Sequence, residues 1–268
     1  MTETKRGSTE PRSRGGTESA SRVADVLLAF AGEQRRLGVS EIARRLGLSK
    51  AVVYRILRSL ASRQLVVFEE HTRSYRLGPA AATLGACALR DFDLRRAAMP
   101  VLSRLQRETG ETATVSALVG THRVYLDQVL SLNEIKMSVQ IGQPFPLHAG
   151  ASSRAILAFC MPELRETVLH GTLERLTPGT ITDRRRLEGE LERVRREGTA
   201  ISFGERQVGA GSVATPVFGI DGYAIGSLSV CGPVDRFNEE TVDRLRPLVR
   251  EAGLEVSKKL GWEGGVSG

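Results

Sequence analysis

The sequence predicts two domains: a small N-terminal helical domain closed by a β-hairpin, and a larger α+β domain built on an antiparallel sheet. Three observations predict it. Residues 1–78 hold 15 Lys and Arg against 8 Asp and Glu, whereas residues 79–268 hold 23 of each, so the first third carries the whole net charge of +7. Two short amphipathic segments are joined by Gly-Leu-Ser, the second of them basic on its free face. Further along, β-like runs are interleaved with helical stretches and separated by turns. The expected divisions are an arm over 1–20, a basic helical domain over 21–78, a linker helix region over 79–96, a second domain over 97–262 and a flexible tail over 263–268.

The arm, "MTETKRGSTEPRSRGGTES", is Gly, Ser, Thr, Arg and Glu, a composition too polar to bury a core, so a disordered basic arm is expected. A first helix follows, with Ser21 as its N-cap, Val23, Val26, Leu27 and Phe30 on one face, and a stop near Gly32. In "VSEIARRLGLS" Ser40 is the expected N-cap, Ile42 and Leu46 are four apart, and Gly47 supplies the stop. The next helix starts at Ser49. Its Val53, Ile56, Leu57 and Leu60 form the buried stripe, and Lys50, Ala51, Tyr54, Arg55 and Arg58 fall outside.

Two short helices in this arrangement make a helix-turn-helix, with a plain helical hairpin as the alternative. "LVVF" and "SYRL" on either side of "EEHTR" then read as a two-stranded wing. The basic surplus and this motif point to double-stranded DNA as the partner. The expected DNA-binding residues are Ser40, Ser49, Lys50, Ala51, Val52, Tyr54, Arg55, Arg58 and Arg73. Lys50 and Arg55 can reach phosphates or guanine O6 and N7, Ala51 and Val52 thymine methyls, and Tyr54 a sugar or base. Arg58, further back, suits a phosphate. Arg73 in the wing suits an adjacent backbone or minor groove. His71 beside it reads as a solvated loop residue.

"GPAAATLGACALR" opens with Pro79 in a first helical turn and makes a connecting helix. Its small residues (Ala81, Ala82, Gly85, Ala86, Ala88) allow close approach of a second copy. Another helix runs from about Leu94 to Thr109 and stops at Gly110. "TATVSALVG", "RVYLDQVL" and "IKMSVQI" are β-like. "ASSRAILAFC" is a helix, and "DRRRLEGELERVRREG" a charged surface helix whose Arg run is a solvated face. "GSVATPVFG" and "AIGSLSVCG" are strands joined by the turn "IDGY". A last helix spans about Asn238 to Leu260. Strands with hairpin-like connections and flanking helices give an antiparallel sheet covered by helices.

Several function classes are disfavoured. Cys87, Cys160 and Cys231 form no CxxC or clustered pattern, so no zinc or other metal site is expected. Sparse, odd cysteines fit a reducing cytoplasm. No apolar run approaches the roughly 20 residues of a membrane span, and the N-terminus has no apolar signal core. The four histidines, His71, His122, His148 and His170, show no catalytic pattern, so neither catalytic residues nor a cofactor is expected.

Several motifs in one order, "EIARRLGLSKAVVYRIL", "YRLG", "TGETATVSALVG", "PLHAGASSRAILAF", "TPGTITD" and "GAGSVATPVFGIDGYAIGSLSVCGP", carry a resemblance. Over residues 21–262 the chain resembles the isocitrate lyase regulator (IclR) family of bacterial transcription factors. The resemblance implies a winged helix-turn-helix, a linker helix and a C-terminal GAF-like domain that binds a small effector, often a carboxylate. It also implies a homodimer or dimer of dimers (a homotetramer) on a palindromic operator. A repressor is the expectation, within a family that also holds activators.

The family's ligand pocket maps to Ala151 and Ser152, just after His148, and to Ser212, Ser229 and Cys231 at strand ends. Met137, Phe145 and Ala210 match its apolar walls. This chain departs from the pattern at Ser202, where an acid is common, at Ser212, where Cys is common, and at Ser153-Arg154, where Gly-Lys is usual. Without an obvious acid, such a hydroxyl-rich pocket suits an anion or a neutral polar ligand. The serines can instead bond to backbone, and His148 can equally be a structural cap. An enzymatic C-terminal domain and a ligand-independent DNA-binding protein remain as alternatives.

Overall fold

The computed structural model describes residues 18–31, 36–90 and 93–264. The expected arm up to residue 17, the stop at Gly32 and the tail from residue 265 lie outside them, as do the side chains of 86–90, including those of Ala86, Cys87 and Ala88. The chain divides into two compact units between Leu84 and Gly85.

In the first unit, α1 (Glu18–Leu28), α2 (Val39–Leu46) and α3 (Lys50–Ala61) surround a core of Val26, Phe30, Ile42, Val53, Leu57 and Leu60. Ser21 lies within α1 and is not its cap, so the chain is already helical where the arm was expected to extend to residue 20. The N-cap of α2 is Gly38, which places Ser40 in the first turn. The α2–α3 turn follows the sequence closely. Gly47 takes the left-handed conformation (φ 64°), which costs glycine nothing, and its N–H caps Ala43 O. Ser49 then accepts from Val52 N at 3.3 Å, closing the first turn of α3. Strands β1 (Val66–Glu69) and β2 (Ser74–Leu77) pair antiparallel. Leu37 adds a bridge to Tyr75, which ties the hairpin to the segment before α2. A two-stranded hairpin is marginal alone; here Val66 and Tyr75 anchor it in the core.

From Pro79 the chain runs through α4 (Pro79–Arg90). The second unit contains α5 (Asp93–Thr109) and an antiparallel sheet of six strands: β3 (Thr112–Val119), β4 (His122–Val129), β5 (Pro144–Pro146), β6 (Ala200–Phe203), β7 (Ala210–Phe218) and β8 (Ala224–Pro233). Their order is β5-β4-β3-β8-β7-β6. Helices α5 and α9 (Glu239–Lys259) cover one face, meeting Ala113, Val115, Ala117, Val213, Leu228 and Val230. Helix α6 (Ala151–Phe159) covers the other, backed by α7 (Pro162–His170) and α8 (Arg184–Glu197).

Strand alternation writes these faces: in β3 the odd residues are apolar, while Thr112, Thr114 and Ser116 point the other way and are equally buried. In β8, Leu228 and Val230 alternate with Ser227, Ser229 and Cys231. One sheet face is thus an ordinary core, in which each fully buried Val or Leu contributes about 1.5–3 kcal/mol. The other is a buried face rich in hydroxyls.

Three segments differ from expectation. "IKMSVQI" is not a strand. The Gln128 carboxamide substitutes for a ladder: its Nε2 donates to Val139 O at 2.9 Å and its Oε1 accepts from Val139 N at 2.8 Å. Thr112 Oγ1 likewise donates to Met137 O at 2.7 Å. The strand that pairs with β4 is instead Pro144–Pro146, whose prolines lack donors and suit a sheet edge. The sequence reading also passed over α7, which opens with Pro162 at its first turn, and the short β6.

Candidate functional site

The first candidate surface lies on α3 and the hairpin. Ser40, Ser49, Lys50, Ala51, Tyr54, Arg55, Arg58 and Arg73 are exposed, and Val52 is half-buried. With Val53, Leu57 and Leu60 turned inward, 3.6-residue periodicity sends Ala51, Arg55 and Arg58 to the opposite side. Lys50, Arg55, Arg58 and Arg73 form no ion pair with an acid among the described residues. The neighbouring Arg36 and Arg76 do: both bind Glu69, through Nε at 2.7 and 2.8 Å. These partners, Arg36 foremost, hold the Glu69 carboxyl below its ordinary range. Ser40, Tyr54, Arg58 and Arg73 line one open groove, with Phe68 and Tyr75. Lys50, Ala51, Val52 and Arg55 lie outside it. This arrangement presents unneutralised cations on a convex helix beside a groove, a geometry suited to a polyanion.

The second candidate site is a narrow cavity of about 30 Å³ between the start of α6 and the hydroxyl-rich sheet face. Gly150 leads into α6 at φ 86°, a backbone region that glycine alone enters freely, and brings the helix N-terminus to the wall. Ser229 Oγ and Thr114 Oγ1 meet across β3 and β8 at 2.7 Å. Ser202 and Ser212 face each other in register across β6 and β7. Neither hydroxyl bonds to another described residue.

Arg123 enters this cavity from β4 and is 1% exposed. Its Nε donates to Ser153 Oγ at 2.9 Å and its Nη1 to Ser116 Oγ at 3.0 Å. The guanidinium lies 4.1 Å from the Tyr125 ring centre. Burial pulls its pKa below the ordinary arginine value, yet a guanidinium remains charged at any physiological pH. Glu205 also lines the cavity, and its carboxylate is ion-paired with buried Arg154 and reached by Gly150 N at 3.4 Å. Hydroxyls of Thr177 and Thr180, in the "TPGTITD" segment, hold the Glu205 carbonyl at 3.0 and 2.7 Å.

Of the residues expected in the pocket, Met137, Ala151, Ser152, Ser202, Ala210, Ser212, Ser229 and Cys231 line this cavity. Phe145 and His148 do not line it. Phe145 stands behind Tyr125, edge to face at 5.7 Å. His148 turns away, and its Nε2–H donates to Glu174 O at 2.8 Å. Burial pushes the Cys231 thiol up to about 12, so it is neutral. The sequence reading missed Arg123, Tyr125, Gly150, Glu205, Arg206 and Gln207. Arg123 and Tyr125 carried a signal, two residues apart on one strand face in a segment otherwise fit for burial. Glu205 corrects the expectation of a pocket without an acid, although Arg154 neutralises it. Among the described residues no cluster of His, Cys, Asp and Glu suits a metal, and no helix is long and apolar enough to cross a membrane.

Residues 19–70 match the IclR helix-turn-helix domain, and residues 86–258 match the family described as bacterial transcriptional regulator IclR, C-terminal. The HTH-type transcriptional regulator BhcR of Paracoccus denitrificans is 32% identical, over 91% of this chain and 87% of its own. A crystallised IclR transcriptional regulator from Silicibacter sp. TM1040 superposes with a TM-score of 0.83 at 32% identity, covering 92% of this chain and 98% of that one. An IclR homologue from Microbacterium hydrocarbonoxydans, crystallised with 4-hydroxybenzoate, gives 0.72 at 27% identity, over 91% and 99% of the two chains.

Proposed function

The chain belongs to the IclR family of DNA-binding transcriptional regulators, and from that premise we propose that a small anion bound in the second unit controls its hold on promoter DNA. The observation that carries this reading is Arg123, a buried guanidinium facing the cavity with only neutral hydroxyls as hydrogen-bond partners. Leaving a charge buried without a counter-charge is costly, and an incoming carboxylate supplies one. The unbonded hydroxyls of Ser202 and Ser212 and the N-terminus of α6 add donors for the same oxygens. A complex with 4-hydroxybenzoate in a relative shows that an organic acid can accompany this fold.

We read the hairpin as a wing, the second unit as a GAF-like sensor and the cytoplasm as the place of action. Arg55, with Lys50 and the tip of α3, reads bases, while Arg58 and Arg73 hold phosphates. A homodimer, or a dimer of dimers, would present two such helices to a palindromic operator. The ligand changes DNA affinity only in so far as it binds one arrangement of the protein better than another.

DNA selected by the full chain from a random pool, titrated with and without small carboxylic acids, tests the reading. An acid that binds should shift DNA affinity, and Ser212→Leu, which fills the cavity, should abolish the shift and leave DNA binding intact. A Ser212→Leu protein that responds at the same acid concentration contradicts the placement of the ligand.

A further inference from the structure

The cavity holds a second cation. Arg206, half-buried in the loop after β6, donates to Gln207 Oε1 at 3.3 Å and pairs with no acid among the described residues. Arg206 and Arg123 share the same two aromatic rings. Arg123 lies 4.1 Å from the Tyr125 centre and 5.2 Å from that of Phe145; Arg206 lies 5.8 and 5.0 Å from them. Among the described residues the only acid lining the cavity, Glu205, is already taken by Arg154. Two positive charges without a free acid partner therefore stand around one ring pair, Arg123 shielded from solvent and Arg206 partly open to it.

We infer that the ligand is a short, non-aromatic dianion, one charge bound by Arg123 and the other by Arg206. This inference rests on the anion reading above and narrows it. A monoanion would satisfy only one guanidinium. An aromatic acid would need a ring face to stack on, and the faces of Tyr125 and Phe145 already lie against the protein's own guanidiniums. The hydroxyls of Ser202 and Ser212 suit an oxygen-rich chain between the charges. Two chemistries present two anionic groups in this way: a dicarboxylate, and a carboxylate bearing a phosphate, whose phosphate itself carries about −1.5 to −2 at pH 7.

Calorimetric titration of the full chain at about 0.15 M ionic strength tests it with malonate, succinate, malate and 2-phosphoglycolate. Propionate, butyrate, 3-hydroxybutyrate and glycolate are the matched monoanions, and 4-hydroxybenzoate is the aromatic control. The best dianion should bind at least about tenfold more tightly than its matched monoanion, a gap of about 1.4 kcal/mol. In Arg206→Gln that ratio should fall to about threefold or less, the loss of one charge-assisted hydrogen bond. Whether a dicarboxylate or 2-phosphoglycolate leads identifies which chemistry supplies the second charge, and either result supports the inference. A monoanion matching its dianion, 4-hydroxybenzoate exceeding all of them, or an unchanged ratio in Arg206→Gln overturns the dianion inference while leaving the anion reading intact. No binding by any of these acids overturns both.

Discussion

Arg154, in the first turn of α6, and Glu205, in the loop after β6, form an ion pair inside the protein, with side chains 1% and 11% exposed. The same guanidinium donates to Ile201 O, and its Nε has no partner among the described residues. Burial lowers the Arg154 pKa to about 10. The pair sits where the sheet, α6 and the Thr177–Thr180 turn converge, so it fixes the cavity wall as well as its charge.

Glu205→Gln keeps the shape and removes the counter-charge. Breaking one side of a buried pair costs about 3–5 kcal/mol, because the remaining charge is stranded. Urea denaturation of the variant should show a loss of that order. A loss below about 1 kcal/mol, the range of an exposed pair, would mean that water reaches the Arg154 guanidinium.

On the proposed DNA-reading face, Arg55 and Arg58 should behave differently. Arg55→Ala should weaken binding to the selected site by about 1–3 kcal/mol and relax base preference at one position. Arg58→Ala should weaken all sequences alike and lower the salt slope by about 1. Anisotropy titrations over a salt series separate the two. Unchanged affinity and slope in Arg55→Ala would remove that residue from the interface.

His148 predicts a pH dependence. Burial holds its pKa below the ordinary 6.5 while its Nε2–H donates to Glu174 O. The unfolded chain therefore takes up the proton more readily than the folded one. The stability tied to neutral His148 is fully present above pH 6.5 and is lost as pH falls towards the depressed folded value. His148→Gln, which keeps a donor for the carbonyl, should flatten the fall in melting temperature between about pH 6.5 and pH 5. An equal fall in both proteins would assign it to other groups.

Much of the first unit was legible because its signals are local. Gly47 and Ser49 terminate and start helices by their own conformations, and the stripe of Val53, Leu57 and Leu60 needs only helical periodicity. Ser21 and Ser40 misled because a capping residue is defined by where the helix starts: Ser21 lies inside α1, and Gly38 caps α2 two residues before Ser40. "IKMSVQI" has strand composition, yet the Gln128 carboxamide took its edge, a side-chain event that no β propensity encodes.

In the second unit, the strand alternation in "TATVSALV" and "SLSVC" exposes the hydroxyl face to a sequence reader. The cations above it are less visible. Arg123 lies next to Ser116 because the β3–β4 hairpin pairs Leu118 with Arg123 and Ser116 with Tyr125, and Arg206 reaches the cavity from a loop held by Thr177 and Thr180.

The most direct measurement is the affinity of the full chain for its selected DNA, with and without the tightest-binding acid of the panel, in wild type and in Arg123→Met. Methionine fills the space of the arginine stem and carries no charge, and a matching melting curve would show that the fold is kept. The account predicts that the acid changes wild-type DNA affinity several-fold, and that Arg123→Met binds the same DNA equally well without acid and ignores the acid when it is added. An Arg123→Met protein that responds at the wild-type acid concentration would contradict it.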